Sequence, residues 1–279
     1  MYDFKPFTLT PEEIRGRIAE ITARPMSDSE RNAALNFILS CIDLTTLEAT
    51  DTDARVIALC EQAKSFPQRK EGVPAVAAVC VYPPFAGLVK SHLAGSGIRT
   101  ACVAAAFPSG QASLPLKLIE VSSVVDDGAE EVDMVISRGK FLEGKYVEVG
   151  DEICAVKAAC GDAHLKVILE TGELESVQNI RNASEIALIT GADFLKTSTG
   201  KVQPAATPEA FFIMLESIKE FYEMSDKKVG IKAAGGISDP DTALLYYSLT
   251  KEVLGEDWLS KDLFRIGASR LAESVFNEL

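Results

Sequence analysis

The sequence predicts a single-domain α/β fold, a (β/α)8 (TIM) barrel preceded by an N-terminal helical extension, and three observations carry that prediction. Short apolar runs alternate eight times with amphipathic segments of helical length. Helical crossovers between strands favour parallel pairing, because each one returns the chain to the same end of the sheet, and eight such units close into a barrel. No Pro-, Gly- or Ser-rich linker interrupts the series, so residues 37–279 are expected as one barrel, with residues 1–36 as a helical extension packed on it. Finally, the first strand-to-helix junction, Asp43-Leu44-Thr45-Thr46-Leu47, lacks the G-x-G-x-x-G fingerprint of an open dinucleotide-binding sheet.

In chain order, the extension reads as helices near Pro11 to Glu20 and Asp28 to Leu35. The expected strands are Phe37 to Asp43, Ala75 to Val81, Thr100 to Ala106, Glu131 to Ser137, Leu165 to Thr171, Phe194 to Ser198, Val229 to Ala234 and Phe264 to Gly267. Helical patterns separate them near Thr52 to Ser65, Phe85 to Ala94, Leu114 to Asp127, Tyr146 to Ala159, Val177 to Thr190, Pro208 to Met224 and Pro240 to Leu254. A last helix is expected near Arg270 to Phe276. Two helix starts are marked sharply: Thr207-Pro208-Glu209 and Asp239-Pro240-Asp241 each place a capping side chain before a proline at the first helical position, followed by an acid that suits the helix dipole.

Composition narrows the function. The 279 residues are 47% hydrophobic and 25% charged, with a net charge of −13. An acidic chain is a poor partner for nucleic acid or anionic membrane, which demand a basic field, so any phosphate site must be local. No apolar run reaches the roughly 18 residues of a membrane span, and Met1 to Glu13 lacks a basic region followed by an apolar one, so a cytoplasmic protein is expected. The six cysteines (Cys41, Cys60, Cys80, Cys102, Cys154, Cys160) are scattered singly and read as reduced. With only His92 and His164 there is no His/Cys cluster at zinc-ligand spacing.

Side-chain parity points to the chemistry. In Val229-Gly230-Ile231-Lys232-Ala233-Ala234 the branched residues fall on one face and Gly230, Lys232 and Ala234 on the other. Helices cover the outside of such a barrel, so the lysine should point inward. The same alternation turns Lys166, Glu170, Asp133 and Lys196 into the interior, where an unpaired charge costs several kcal/mol. These groups must pair with one another or shed charge. Lys196, in the last turn of the apolar run Phe194 to Ser198, is the candidate nucleophile: an amine desolvated near a second cation, here Lys232, loses proton affinity and can form a Schiff base with a carbonyl. Gly235-Gly236 and Gly267-Ala268-Ser269 follow the last two strands, the usual place for a phosphate in this fold.

Several segments together resemble deoxyribose-phosphate aldolases, class I aldolases on a TIM barrel. They are Asp43-Leu44-Thr45, Val79-Cys80-Val81-Tyr82-Pro83, Glu131-Val132-Asp133-Met134-Val135, Leu165 to Leu174 (LKVILETGEL), Leu195 to Lys201 (LKTSTGK) and Ile231 to Gly236 (IKAAGG), in order between about Asp43 and Ser269. The resemblance implies cleavage of 2-deoxy-D-ribose 5-phosphate to glyceraldehyde 3-phosphate and acetaldehyde, with no metal or other cofactor. It implies Lys196 as the Schiff-base lysine, Lys232 as the neighbour that lowers its pKa, Asp133 as the acid/base acting through water, and Lys166 as completing that relay. Cys80 matches a cysteine lining the pocket, and Asp43 matches an aspartate that orders the charges. Thr199, Lys201, Gly235, Gly236, Gly267 and Ser269 match positions around the substrate hydroxyl and phosphate.

Departures from the family pattern also generate expectations. Ala233 replaces a proline found after the second lysine in some members, which loosens that turn but leaves Lys232 in place. Ser238 sits where members often carry a basic residue, and Arg270 where they often carry a second serine, so Arg270 is expected to supply the phosphate charge missing at Ser238. Some members end in a flexible tail with a terminal tyrosine that assists proton transfer, whereas this chain ends at Asn277-Glu278-Leu279, so slower proton exchange at the enamine is expected. The expected partners are a small sugar phosphate and acetaldehyde, with a homodimer or homotetramer as the assemblies considered. Two alternatives stand beside this reading: a transaldolase-like Schiff-base enzyme using a ketose donor, and a sugar-phosphate-binding barrel without chemistry.

Overall fold

Parallel strands β1 (Ile42–Thr45), β2 (Ala78–Val81), β3 (Arg99–Val103), β4 (Glu131–Val135), β5 (His164–Ile168), β6 (Phe194–Lys196), β7 (Gly230–Ala234) and β8 (Phe264–Ala268) pair in chain order, and β8 closes on β1. This architecture comes from a computed structural model that describes residues 4–279; Met1, Tyr2 and Asp3, the first residues of the expected extension, lie outside the described residues. The fold is the closed eight-stranded α/β barrel that the alternation predicts.

The helices are α1 (Pro11–Thr22), α2 (Asp28–Ser40), α3 (Asp53–Arg69), α4 (Ala86–His92), α5 (Leu114–Asp126), α6 (Arg138–Leu142), α7 (Tyr146–Ala159), α8 (Val177–Ile189), α9 (Pro208–Ser225), α10 (Pro240–Leu254) and α11 (Leu271–Glu278). Both marked starts hold: Thr207 caps α9 by accepting from the Ala210 N–H, and Asp239 caps α10 by accepting from the Thr242 N–H. In the extension, Thr10 with Glu13 and Ser27 with Glu30 form reciprocal capping boxes. Ile14, Ile18 and Ile21 recur at helical spacing to bury one face of α1, which packs on α9 and α10. Among the described residues no helix is long and apolar enough to cross a membrane.

Several boundaries differ from expectation: the second strand begins at Ala78, the fourth ends at Val135 and the sixth at Lys196, and three further differences have a clear physical reason. The expected strand Phe37 to Asp43 is helical up to Ser40: with no breaker after Leu35, α2 continues, burying Leu35, Ile38 and Leu39 and stacking Phe37 on Phe264 with ring centroids 5.9 Å apart. The expected third and fifth strands end early, because Ala105 and Ala106 (φ 59° and 63°) and Glu170 (φ 55°) take left-handed conformations that break the ladder. The one-turn helix α6 has no counterpart among the expected elements, being too short to show a helical period.

Register partners on neighbouring parallel strands face the same way, and this sorts inside from outside. Lys166 lies opposite Asp133 and Phe194, Lys196 opposite Lys232, and Lys232 opposite Arg265, all turned inward. Val132 and Met134, Leu165 and Val167, and Phe264 and Ile266 turn outward into the main apolar core under the helices. Across the barrel the inner wall is small and apolar: Ala78, Cys80, Ala101 and Val103 cluster beneath Leu47.

Candidate active site

The floor of the site is an ionic network built from strand interiors, with each member at most 3% exposed. Asp133 is its centre. Its Oδ1 accepts from Lys166 Nζ at 2.9 Å, and its Oδ2 accepts from Lys196 Nζ at 2.7 Å and Lys232 Nζ at 2.8 Å. Lys232 also donates to Asp43 at 2.5 Å, while Lys166 reaches Glu131 at 2.6 Å and Asp43 at 3.4 Å. Beneath them Arg265 bridges Asp43 at 2.5 Å and Glu131 at 2.6 and 3.0 Å.

Counting charges shows which amine can be neutral. Lys166, Lys232 and Arg265 compensate Asp43, Glu131 and Asp133, three cations for three anions. Arg99 also meets Glu131, but it is partly exposed and pairs with Asp262 at the barrel's rim. A charge on Lys196 would therefore be a fourth, buried and uncompensated, costing on the order of several kcal/mol. Contact numbers agree: Lys166 touches three carboxylates, Lys232 two and Lys196 one.

The proton affinities follow the same order. Burial pushes the Lys196 pKa below the ordinary lysine value and the Lys232 ammonium adds to that, while Asp133 opposes both. Of the two lowering effects, desolvation is the larger and the cationic neighbour the smaller. Burial also opposes charge on Lys232 and Lys166, but Asp133 with Asp43, and Asp133 with Glu131 and Asp43, outweigh it and raise both pKa values. Burial alone would raise Asp133, yet Lys166, Lys196 and Lys232 together hold it well below the usual carboxylate range. A buried amine poised toward its neutral form beside an ionised carboxylate can add to a carbonyl and pass protons.

Above this floor opens a cavity of about 390 Å³. Lys196 and Lys232 reach it from below, Thr199 and Lys201 wall it after β6, Gly235 and Gly236 after β7, and Gly267 near the end of β8 with Ser269 and Arg270 just after it. Thr197 stitches the two lysine strands together: its Oγ1 donates to the Ala234 carbonyl at 3.2 Å and accepts from the Ala234 N–H at 3.0 Å. Gly267 makes room for the second lysine, since a Cβ there would lie 2.9 Å from Lys232 Cε. Gly235 (φ 93°) is constrained likewise, with a Cβ falling 2.5 Å from that of Ala205. Lys201 crosses the mouth to donate to the Leu47 carbonyl at 2.5 Å, and α11 begins directly after Arg270, so backbone N–H groups and two cations gather at one side.

Asp43, Asp133 and Lys166 lie in the buried network beneath the cavity, and Cys80, expected on the pocket wall, faces the lysines and Asp133 from β2 in the small apolar cluster. Glu170, expected inward beside Asp133, is past the end of β5. Its left-handed backbone breaks the alternation, and its carboxylate instead accepts from Thr199 N–H at 3.1 Å and Oγ1 at 2.5 Å and from Arg138 at 3.4 Å, anchoring the loop that carries Lys201. Glu131 and Arg265 are network members that the sequence reading does not single out, although Glu131 shares parity with Asp133 two residues on.

Comparison with known proteins shows what the chain is similar to. A model of the DeoC/LacD aldolase family matches residues 37–247. A Caenorhabditis elegans relative is 45% identical over 244 residues, spanning 87% of this chain and 80% of its own. The deoxyribose-phosphate aldolase of Homo sapiens is 42% identical over 275 residues, spanning 94% of this chain and 86% of its own. Among solved structures, the deoxyribose phosphate aldolase of Aeropyrum pernix, described as a unique tetramer, superposes with a TM-score of 0.70 at 24% identity, covering 96% of this chain and 97% of that one; at that identity the likeness speaks to the fold.

Proposed function

The chain belongs to the DeoC/LacD family of aldolases, and from that premise we propose that it is a deoxyribose-phosphate aldolase acting through a Schiff base on Lys196. The observation that carries this reading is a buried amine on the cavity floor, 2.7 Å from Asp133, in a network already balanced without its charge. Neutral Lys196 attacks the sugar aldehyde, and loss of water gives an iminium. That cation is the electron sink while the bond between the second and third sugar carbons breaks, so the chemistry needs neither metal nor redox cofactor. Asp133, through a water, takes the proton of the hydroxyl on the third carbon as glyceraldehyde 3-phosphate departs, with Lys166 completing the relay. The enamine takes a proton back on its terminal carbon, and hydrolysis frees acetaldehyde and the amine.

The same reading assigns the other residues. Lys232 stays protonated and keeps the positive field beside Lys196, and Asp43 holds Lys232 in place. The loops at Gly235-Gly236 and Gly267-Ser269 receive the phosphate, with Lys201 and Arg270 supplying charge that Ser238 cannot. Reduced, mostly buried cysteines and an acidic surface suit work in the cytoplasm on sugar phosphate released in deoxyribonucleotide catabolism, by a homodimer or homotetramer. The test is direct: offer the protein 2-deoxyribose 5-phosphate and quantify both aldehydes. Equimolar acetaldehyde and glyceraldehyde 3-phosphate are expected; turnover of ketose donors alone, or binding without cleavage, would overturn the proposal.

A further inference from the structure

We propose that Arg265 and Glu131, which touch neither cavity nor substrate, are positioning residues that keep Lys196 the one uncharged amine of the network. This rests on the reading of Lys196 as the amine that adds to the aldehyde. Arg265 is fully buried with its fork committed: one terminal nitrogen to Asp43 at 2.5 Å and Glu131 at 3.0 Å, the other to Glu131 at 2.6 Å, and Nε to the Lys261 carbonyl. The face of Phe194 lies 5.7 Å below it. Glu131 passes the contact on to Lys166 at 2.6 Å, and Lys166 meets Asp133 at 2.9 Å. Asp43 passes it on to Lys232, which meets the same Asp133 oxygen as Lys196.

A guanidinium cannot shed its proton, whereas each lysine can. Arg265 is therefore a permanent charge under the site, and Glu131 is the anion that offsets it. The groups facing Lys196 directly are Asp133 from β4, Lys232 from β7 and Cys80 from β2. Behind them stand Lys166 from β5 and Asp43 from β1, with Arg265 and Glu131 as the lowest layer. No member is solvated enough for salt to screen a change made two residues away.

Removing either partner should then move the ionisation of Lys196 in opposite directions. Arg265→Met leaves two cations, Lys166 and Lys232, against three anions, which favours a proton on Lys196. Glu131→Gln leaves three against two, which disfavours it. The double variant restores balance. The measurement is the pH dependence of acetaldehyde trapping on Lys196 with cyanoborohydride, read by peptide mass mapping, in the whole protein. The midpoint should rise by about one pH unit in Arg265→Met, a roughly tenfold loss of reactive amine at fixed pH, fall by a similar amount in Glu131→Gln, and return toward the parent in the double variant. Arg265→Lys keeps the charge without the fork, so its midpoint should stay put while turnover drops. If Arg265→Met does not fold, the downward shift in Glu131→Gln and the unmoved midpoint in Arg265→Lys still decide the matter. Coincident midpoints in all variants, or shifts in one direction only, overturn the inference. Absence of any Lys196 adduct in the parent protein would instead overturn the Schiff-base reading beneath it.

Discussion

The two faces of the barrel wall are built from the same strands under opposite rules. Outward, β4 and β5 present Val132, Met134, Leu165 and Val167 to the helices, and an apolar side chain of similar volume would serve. Inward, one residue along, they present Glu131, Asp133 and Lys166, where nothing can change without leaving a charge unpaired in a dry interior. The outer face holds the fold; the inner face gives up solvation to make one amine reactive. A buried ion network is weak evidence for stability, and here its specificity lies in which member is left neutral.

Substitutions on the inner face should abolish chemistry while sparing the fold, and those on the outer face should do the reverse. The largest effect is expected for Lys196→Met, which removes the amine outright: turnover should drop by on the order of 10⁴-fold or more, with an unchanged circular dichroism spectrum. Asp133→Asn keeps the shape and removes the carboxylate. We expect turnover to fall about 10² to 10⁴-fold with a smaller change in KM, measured in steady state; unaltered turnover would break the assignment of Asp133 to proton transfer.

These two inner-face positions, with Lys232 and Lys166, are legible from alternation alone, whereas the residues around the cavity rim are expected only from the family resemblance and the usual phosphate site of the fold. In β7 the branched residues mark the outside so clearly that Lys232 could only point inward, and Asp133 and Lys196 followed by the same parity. Alternation does not announce where it stops, and so it misplaces Glu170, whose own left-handed backbone ends the strand pattern. Arg265 is not legible in the sequence because a charge at the second position of a short strand looks like a solvated strand start, and only barrel closure shows that it sits over Phe194 between two carboxylates. The helical course of Phe37 to Ser40 was hidden because a continuous apolar run fits a helix or a buried strand equally well.

Smaller effects sharpen the contrast at the rim and on the outer wall. Arg270→Ala should raise KM for 2-deoxyribose 5-phosphate about tenfold, and leave the unphosphorylated sugar unaffected, if that arginine meets the phosphate. An equal change for both sugars would place its role elsewhere. Leu165→Ala, on the outer face beside Lys166, should cost about 2–5 kcal/mol in a denaturant titration. Its turnover per folded molecule should nonetheless stay within about twofold, and a larger loss would mean that the two faces are not separable.

Covalent capture addresses the central claim most directly. Borohydride reduction in the presence of acetaldehyde, followed by peptide mass mapping, should find a single ethyl group, on Lys196, with Lys232 and Lys166 unmodified because their carboxylate partners keep them charged. An ethyl group on either of those two lysines, or on none of the three in protein that turns over substrate, would contradict it.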